Sequence, residues 1–331
     1  MKLRGIDFGP ISDASGLESF FGEGYAHHRL LKLLGLNLNG CGFTTKTTTL
    51  SKNLGWMPMK ENGITPREFL PKCIMPNFRP GNIALSLKMF REGIMLNAVG
   101  LSGPGAEALF EDGRWQKRTS PFWISFMSVA RTPTERIIET KIFVDMFRHY
   151  LRKFKTKVGL KQNFSCPNIG LNPGELVSEV IPCLEAASVL GIPLMPKFNI
   201  LAPIWPVKEI CASPHCDAIC VSNAIPWNDL QEVGIDPVGL FGTSVSPLAD
   251  FGNGGGLSGK PLLPLVAAWV CKARLAGIEK PINAGGGILS VRNVEYLKLM
   301  GASSVFIGSV SNLRPWRTKR IIQKAHQLFE Q

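Results

Sequence analysis

Short apolar runs rich in Ile, Val, Phe and Leu alternate with stretches whose apolar positions recur every three or four residues, almost from one end of the chain to the other. The runs predict strands at 41–50, 94–102, 121–130, 158–166, 194–200, 218–223, 281–286 and 304–308. A helix is predicted after Thr132-Pro133-Thr134-Glu135, a capping box with proline at the first helical position. Its apolar positions follow at Ile138, Ile142, Met146, Phe147, Tyr150, Leu151 and Phe154. Later helices are predicted at 174–190, 262–275, 291–300 and 315–329, with Ser290 as the N-cap of the third of these.

Eight strand-then-helix units predict an α/β fold, a (β/α)8 TIM barrel in a single domain over residues 1–331. Two stretches, 51–91 and 225–259, are too long for ordinary connections and read as extended loops over an active-site mouth. With 34 glycines and 24 prolines, the chain suits many tight strand ends better than a helical bundle. Hydrophobic residues at 45% and charged ones at 19% exclude a disordered or collagen-like chain.

The charge balance, 37 basic against 25 acidic side chains, leaves +12, which draws anions of any kind without choosing among nucleic acid, membrane, phosphate and carboxylate. No signal-peptide pattern opens the sequence, and no run of 18 apolar residues is present, so a cytoplasmic protein without a membrane span is expected. The eight cysteines are then reduced thiols, and Cys211, Cys216 and Cys220 lack metal-site spacing. No metal is expected.

Chemistry gathers at the strand ends, where barrels keep it. Asn163-Phe164-Ser165-Cys166-Pro167-Asn168 closes the fourth predicted strand, with carboxamides, a hydroxyl and a thiol around a proline that stops the ladder. Asn97 and Asn223 add two further strand-end carboxamides. Lys46 and Lys197 sit within β-runs, where an ammonium needs an anion or an electron-rich ring as partner. Glycine clusters at 252–259, 285–287 and 308 offer bare backbone amides for a phosphate after the last two strands.

These residues resemble the dihydroorotate dehydrogenases. The resemblance is carried by Asp13-Ala14-Ser15-Gly16, Lys46-Thr47-Thr48-Thr49-Leu50, Asn97-Ala98-Val99-Gly100-Leu101 and Asn163 to Asn168, joined by Lys197, Asn223, Gly255-Gly256-Leu257-Ser258-Gly259, Gly285-Gly286-Gly287-Ile288 and Ile307-Gly308-Ser309, all in family order. It implies an FMN-containing barrel that oxidises (S)-dihydroorotate to orotate in pyrimidine biosynthesis. Ser15, Gly16, Lys46, Thr47, Asn163 and Lys197 would then contact FMN, and Gly256, Gly286, Gly287, Gly308 and Ser309 would hold its phosphate. Lys46, Asn97, Gly100, Leu101, Asn163, Asn168 and Asn223 would hold the pyrimidine carboxylate, and Cys166 would be the general base as hydride passes to flavin N5. A cysteine base is similar to the soluble class, which implies a homodimer.

Departures touch the substrate side. Gly55-Trp56-Met57-Pro58-Met59-Lys60 replaces a Gly-Asn-Pro pattern, and Ala224 stands where the family carries Ser or Thr. The competing readings are an FMN oxidoreductase for another dihydropyrimidine or activated C=C bond, a tRNA dihydrouridine synthase, and a non-catalytic FMN barrel. Fumarate, NAD through a partner subunit, and a quinone all stay open as electron acceptors.

Overall fold

The structure is a computed structural model that describes residues 1–165 and 177–330. Eight parallel strands form one sheet: β1 Ile11–Asp13, β2 Phe43–Thr44, β3 Phe122–Phe126, β4 Val158–Asn163, β5 Leu194–Phe198, β6 Ile219–Val221, β7 Ile282–Ala284 and β8 Ser304–Ile307. The order runs β1-β8-β7-β6-β5-β4-β3-β2. Gly42 closes the circle, since its N–H donates to Ile11 O and its carbonyl accepts from Asp13 N, each at 2.8 Å. The fold is a (β/α)8 barrel.

Two of the expected strands need correction. The barrel opens on Ile11–Asp13, too short and too tightly flanked by glycine and proline to stand out as an apolar run. The run at 94–102 is not a barrel strand. Ile94–Asn97 pairs antiparallel with Gly256–Gly259 and with Ile74–Met75, and Ile225–Pro226 adds a fourth strand to this separate sheet. A fully buried apolar run fits either setting, because burial on both faces erases the alternation that would tell them apart. Parts of the two long stretches read as loops thus join residues 94–97 in one layer over the mouth.

The capping box forms as expected: Thr132 N donates to Glu135 Oε2 at 2.9 Å and Glu135 N donates to Thr132 Oγ1 at 3.3 Å, opening the helix Pro133–Leu151. The helix at Leu262–Leu275 also starts and stops as read. Ser290 sits at the N-cap of Val291–Leu299, but its hydroxyl bonds to Asn293 Oδ1 rather than to the helix backbone.

The bottom of the barrel is sealed by apolar packing. Leu3 and Phe8, from the N-terminal hairpin region, meet Trp123, Met195, Cys220 and Phe306, and the rings of Phe8 and Trp123 stack at 4.1 Å. Trp123 lies across the neighbouring strand, where a Cβ on Gly159 would come within 2.4 Å of the indole, so only glycine fits opposite it. With that end filled, open space is left at the C-terminal ends of the strands.

Candidate active site

A cavity of about 440 Å³ lies over those strand ends. Asn163 closes β4, Lys197 lies on β5 and Asn223 follows β6, so three neighbouring strands deliver two carboxamides and an ammonium to one side of the mouth. The Asn223 amide donates to Asn163 Oδ1 at 2.6 Å and to Ser165 Oγ at 2.8 Å, while its backbone N–H donates to Phe198 O at 3.1 Å. Both hydrogens of the Asn223 amide are thus committed, which sets the direction of its oxygen.

Lys46 follows β2, and its Nζ is buried without a hydrogen-bond partner among the described residues, 5.1 Å from the centre of the Phe20 ring. Burial lowers its amine to about 7. The Ser15 hydroxyl, at the end of β1, is likewise buried and without a partner among the described residues. Thr47 shares a 2.8 Å hydrogen bond with Ser125 on β3. From the upper layer come Asn97, Gly100 and Leu101, both of the latter at positive φ.

Opposite, the last two strands end in glycine. Gly286 and Gly287 have φ of +139° and +75°, and a Cβ on Gly287 would stand 2.6 Å from the carbonyl oxygen of Gly259. Gly308 passes so near Ala14 that a Cβ would lie at 3.1 Å. The chain there is pressed against its neighbours, and its bare backbone faces the cavity.

Fourteen residues singled out from sequence therefore line one cavity: Ser15, Gly16, Lys46, Thr47, Asn97, Gly100, Leu101, Asn163, Lys197, Asn223, Gly286, Gly287, Gly308 and Ser309. Gly256 does not line it. It is held in the upper sheet between Asn97 and Pro226, and Ser258 reaches the wall instead. Cys166 and Asn168 lie outside the described residues.

Sequence reasoning missed Tyr25, His27, His28 and Asn312, which also line the cavity. Tyr25 donates to Gly16 O at 2.7 Å, and a 3.2 Å bond joins His27 Nε2 to Asn312 Oδ1. Desolvation lowers the pKa of both histidines, that of His28 to about 4, so both are neutral at pH 7. The Tyr-Ala-His-His run would have been a signal had the strand at Ile11–Asp13 been recognised just before it.

A family profile described as dihydroorotate dehydrogenase matches residues 68–329. The chain belongs to the dihydroorotate dehydrogenase family. It is accordingly an oxidoreductase acting on CH–CH donors. Among its relatives, the catalytic subunit of dihydroorotate dehydrogenase B (NAD(+)) from Pelobacter propionicus is 26% identical over 277 residues, covering 80% of this chain and 81% of that one. Dihydroorotate dehydrogenase A (fumarate) from Lacticaseibacillus paracasei is 27% identical over 336 residues, covering 95% of this chain and 91% of the relative. The fold is shared with the ligand-free enzyme of Eimeria tenella, with a TM-score of 0.65 at 18% identity over all of this chain and 87% of that one. Dihydroorotate dehydrogenases in general depend on a flavin, and among the described residues no helix is long and apolar enough to cross a membrane.

Proposed function

We propose that this chain oxidises (S)-dihydroorotate to orotate with FMN as its cofactor. The observation that carries the reading is the convergence of Lys46, Asn163, Lys197 and Asn223 on one cavity whose far side is bare glycine backbone. The residues fit the cofactor. Among the described residues Lys46 Nζ and Ser15 Oγ are buried polar atoms without partners, and Gly286, Gly287, Gly308 and Ser309 offer a backbone cradle suited to a phosphate. When bound, FMN supplies the two-electron acceptor.

The side chains then divide the work. Lys46 in its protonated form would neutralise the substrate carboxylate, and Lys197 would stabilise negative charge at the flavin pyrimidine edge. Asn97, Asn163 and Asn223 can both donate to and accept from the amide and imide groups of a dihydropyrimidine. Asn163 and Asn223 brace each other, so the ring meets amides already oriented. Gly100 and Leu101 would shape the face above the ring, with Asn168 completing the set. Cys166, directly after Ser165, would remove the C5 proton as a thiolate.

Ala224 favours one second reading. It lines the cavity with a methyl group, and its carbonyl is taken by Asn199 Nδ2 at 2.7 Å, so no hydroxyl is offered there and a different dihydropyrimidine becomes admissible. Anaerobic titration of the FMN-loaded protein separates the two. Bleaching of the flavin by dihydroorotate is expected; bleaching by dihydrouracil or dihydrothymine alone would transfer the assignment to the second reading.

A further inference from the structure

We propose that Lys161 is a second positive charge for the cofactor: from one layer below the cavity it acts through the Phe306 ring and favours electron uptake by a flavin bound above. This role rests on the FMN reading given above. Side chains alternate along β4. Gln162 turns outward, its amide donating to Cys183 O at 3.2 Å in the helix Val180–Ala187. Gly159, Lys161 and Asn163 therefore face the barrel interior. Gly159 lies against the Trp123 indole at the sealed bottom, and Asn163 opens on the cavity. Lys161 falls between them and is only 1% exposed. Its Nζ donates to Thr44 Oγ1 at a long 3.4 Å, and it lies 5.9 Å from the centre of the Trp123 ring and 5.8 Å from that of Phe306. Among the described residues no carboxylate stands within ion-pair distance of it. For stability alone, an apolar side chain would serve better at such a position.

The countercharge is loose. Asp13 meets the same Thr44 from β1, where its Oδ1 accepts from the Thr44 backbone N–H, but its Oδ2 has no partner among the described residues. Burial pushes the Asp13 carboxyl well above the usual carboxylate range, Glu18 adds to the rise, and the Thr44 bond and the Lys161 charge oppose it. The field of Lys161 is thus left to act across its other neighbour, Phe306. That ring lines the cavity, and Lys197 Nζ stands 5.4 Å from its centre. Phe306 is shared by two ammonium groups, Lys197 at the mouth and Lys161 beneath. In an interior with an effective permittivity of about 20, a unit positive charge about 10 Å away favours one added negative charge roughly tenfold.

Sulfite is the probe, because its sulfur lone pair forms a bond to flavin N5 while the ring takes up an electron pair and one negative charge. The FMN-loaded wild type and the variants Lys161→Met, Asp13→Asn, Thr44→Val and the double variant Asp13→Asn/Lys161→Met are titrated with sulfite, followed by flavin absorbance. Their two-electron reduction potentials are measured against a reference dye. Lys161→Met is expected to weaken sulfite binding about tenfold and to lower the potential by about 30 mV, the same factor in the reduction equilibrium. Asp13→Asn, which can only remove negative charge, should hold or strengthen sulfite binding. The double variant strands no carboxylate, so it carries the test even where Lys161→Met does not fold, and it should bind sulfite about tenfold more weakly than Asp13→Asn. Thr44→Val removes the bond to Nζ but keeps the charge, and should stay close to wild type. An unchanged potential in the Lys161 variants with FMN bound, weaker sulfite binding in Asp13→Asn, or an equal loss in Thr44→Val overturns the role of Lys161 and leaves the FMN reading standing. A wild-type protein that takes up no flavin overturns both.

Discussion

The side-chain amide of Asn223 bonds to Oδ1 of Asn163 at 2.6 Å, joining the end of β6 to the end of β4. Between these strands lies β5, which carries Lys197. The two amides thus form a latch spanning the strand that delivers the ammonium, and the latch explains why three separate strand ends act as one surface.

Asn223→Ala removes both bonds of this amide and leaves the buried Asn163 carbonyl oxygen with only the longer 3.3 Å bond from the Ser165 backbone N–H. Folding stability should fall by about 1–3 kcal/mol, and orotate affinity should fall more than tenfold while FMN stays bound. Thermal melts and the orotate-induced change of the flavin spectrum measure the two effects. Undiminished orotate binding would separate Asn223 from the substrate.

Lys46 makes the ligand-free protein pH-sensitive in a definite direction. Its amine titrates at about 7 when folded and near 10.4 when unfolded. Between those values the unfolded chain holds a proton that the folded chain has released, so stability rises with pH across the window and the penalty is fully present below it. Lys46→Met should therefore stabilise the ligand-free chain at pH 6 by roughly 2–4 kcal/mol and by much less at pH 10. Orotate binding at pH 8 should take up a proton, visible as a buffer-dependent calorimetric enthalpy. The same enthalpy in buffers of different ionisation heat would detach Lys46 from the carboxylate.

Gly287→Ala should lose FMN, because its Cβ would meet the Gly259 carbonyl at 2.6 Å and the φ is +75°. Gly234→Ala is the control: its φ of +76° is equally unfavourable, but nothing lies within 4 Å. The control should cost about 1–2 kcal/mol and keep its flavin. Equal flavin retention in the two variants would deny the cradle.

Cys166→Ala should keep FMN and slow flavin reduction by about 10²–10⁴-fold. Since an unperturbed thiol titrates near 8.5, reduction of the wild-type flavin should quicken as pH rises toward that value. A stopped-flow rate that is flat with pH, or unchanged in the variant, removes the thiol from the reaction.

Arg136 and Glu179 form a buried ion pair, with Arg136 Nε donating to Glu179 Oε2 at 2.7 Å, that ties the helix Pro133–Leu151 to the turn Val177–Glu179. Arg136→Met strands the carboxylate and should cost about 3–5 kcal/mol; adding Glu179→Gln should recover part of it. Denaturant titrations of both variants decide the point.

From β3 to β8 the barrel was legible because each strand is an apolar run and several are followed by a helix with its own signals, such as the Thr132–Glu135 box, although the helix Ile204–Ala212 after β5 was not read from the sequence. Ile11–Asp13 and Ile94–Asn97 were not, because three residues make too short a run and a strand buried on both faces reads alike in either sheet. The same limit hid His27 and His28, whose place at the mouth follows only once the chain before them is known to be β1. What the residues alone determined was local: where helices start, where strands must stop, and which polar groups are too costly to bury unpartnered. Which of those groups face one another was decided by closure of the barrel. Parallel pairing brings β4, β5 and β6 side by side, across sequence gaps that no periodicity spans, and only that contact lets one amide orient another.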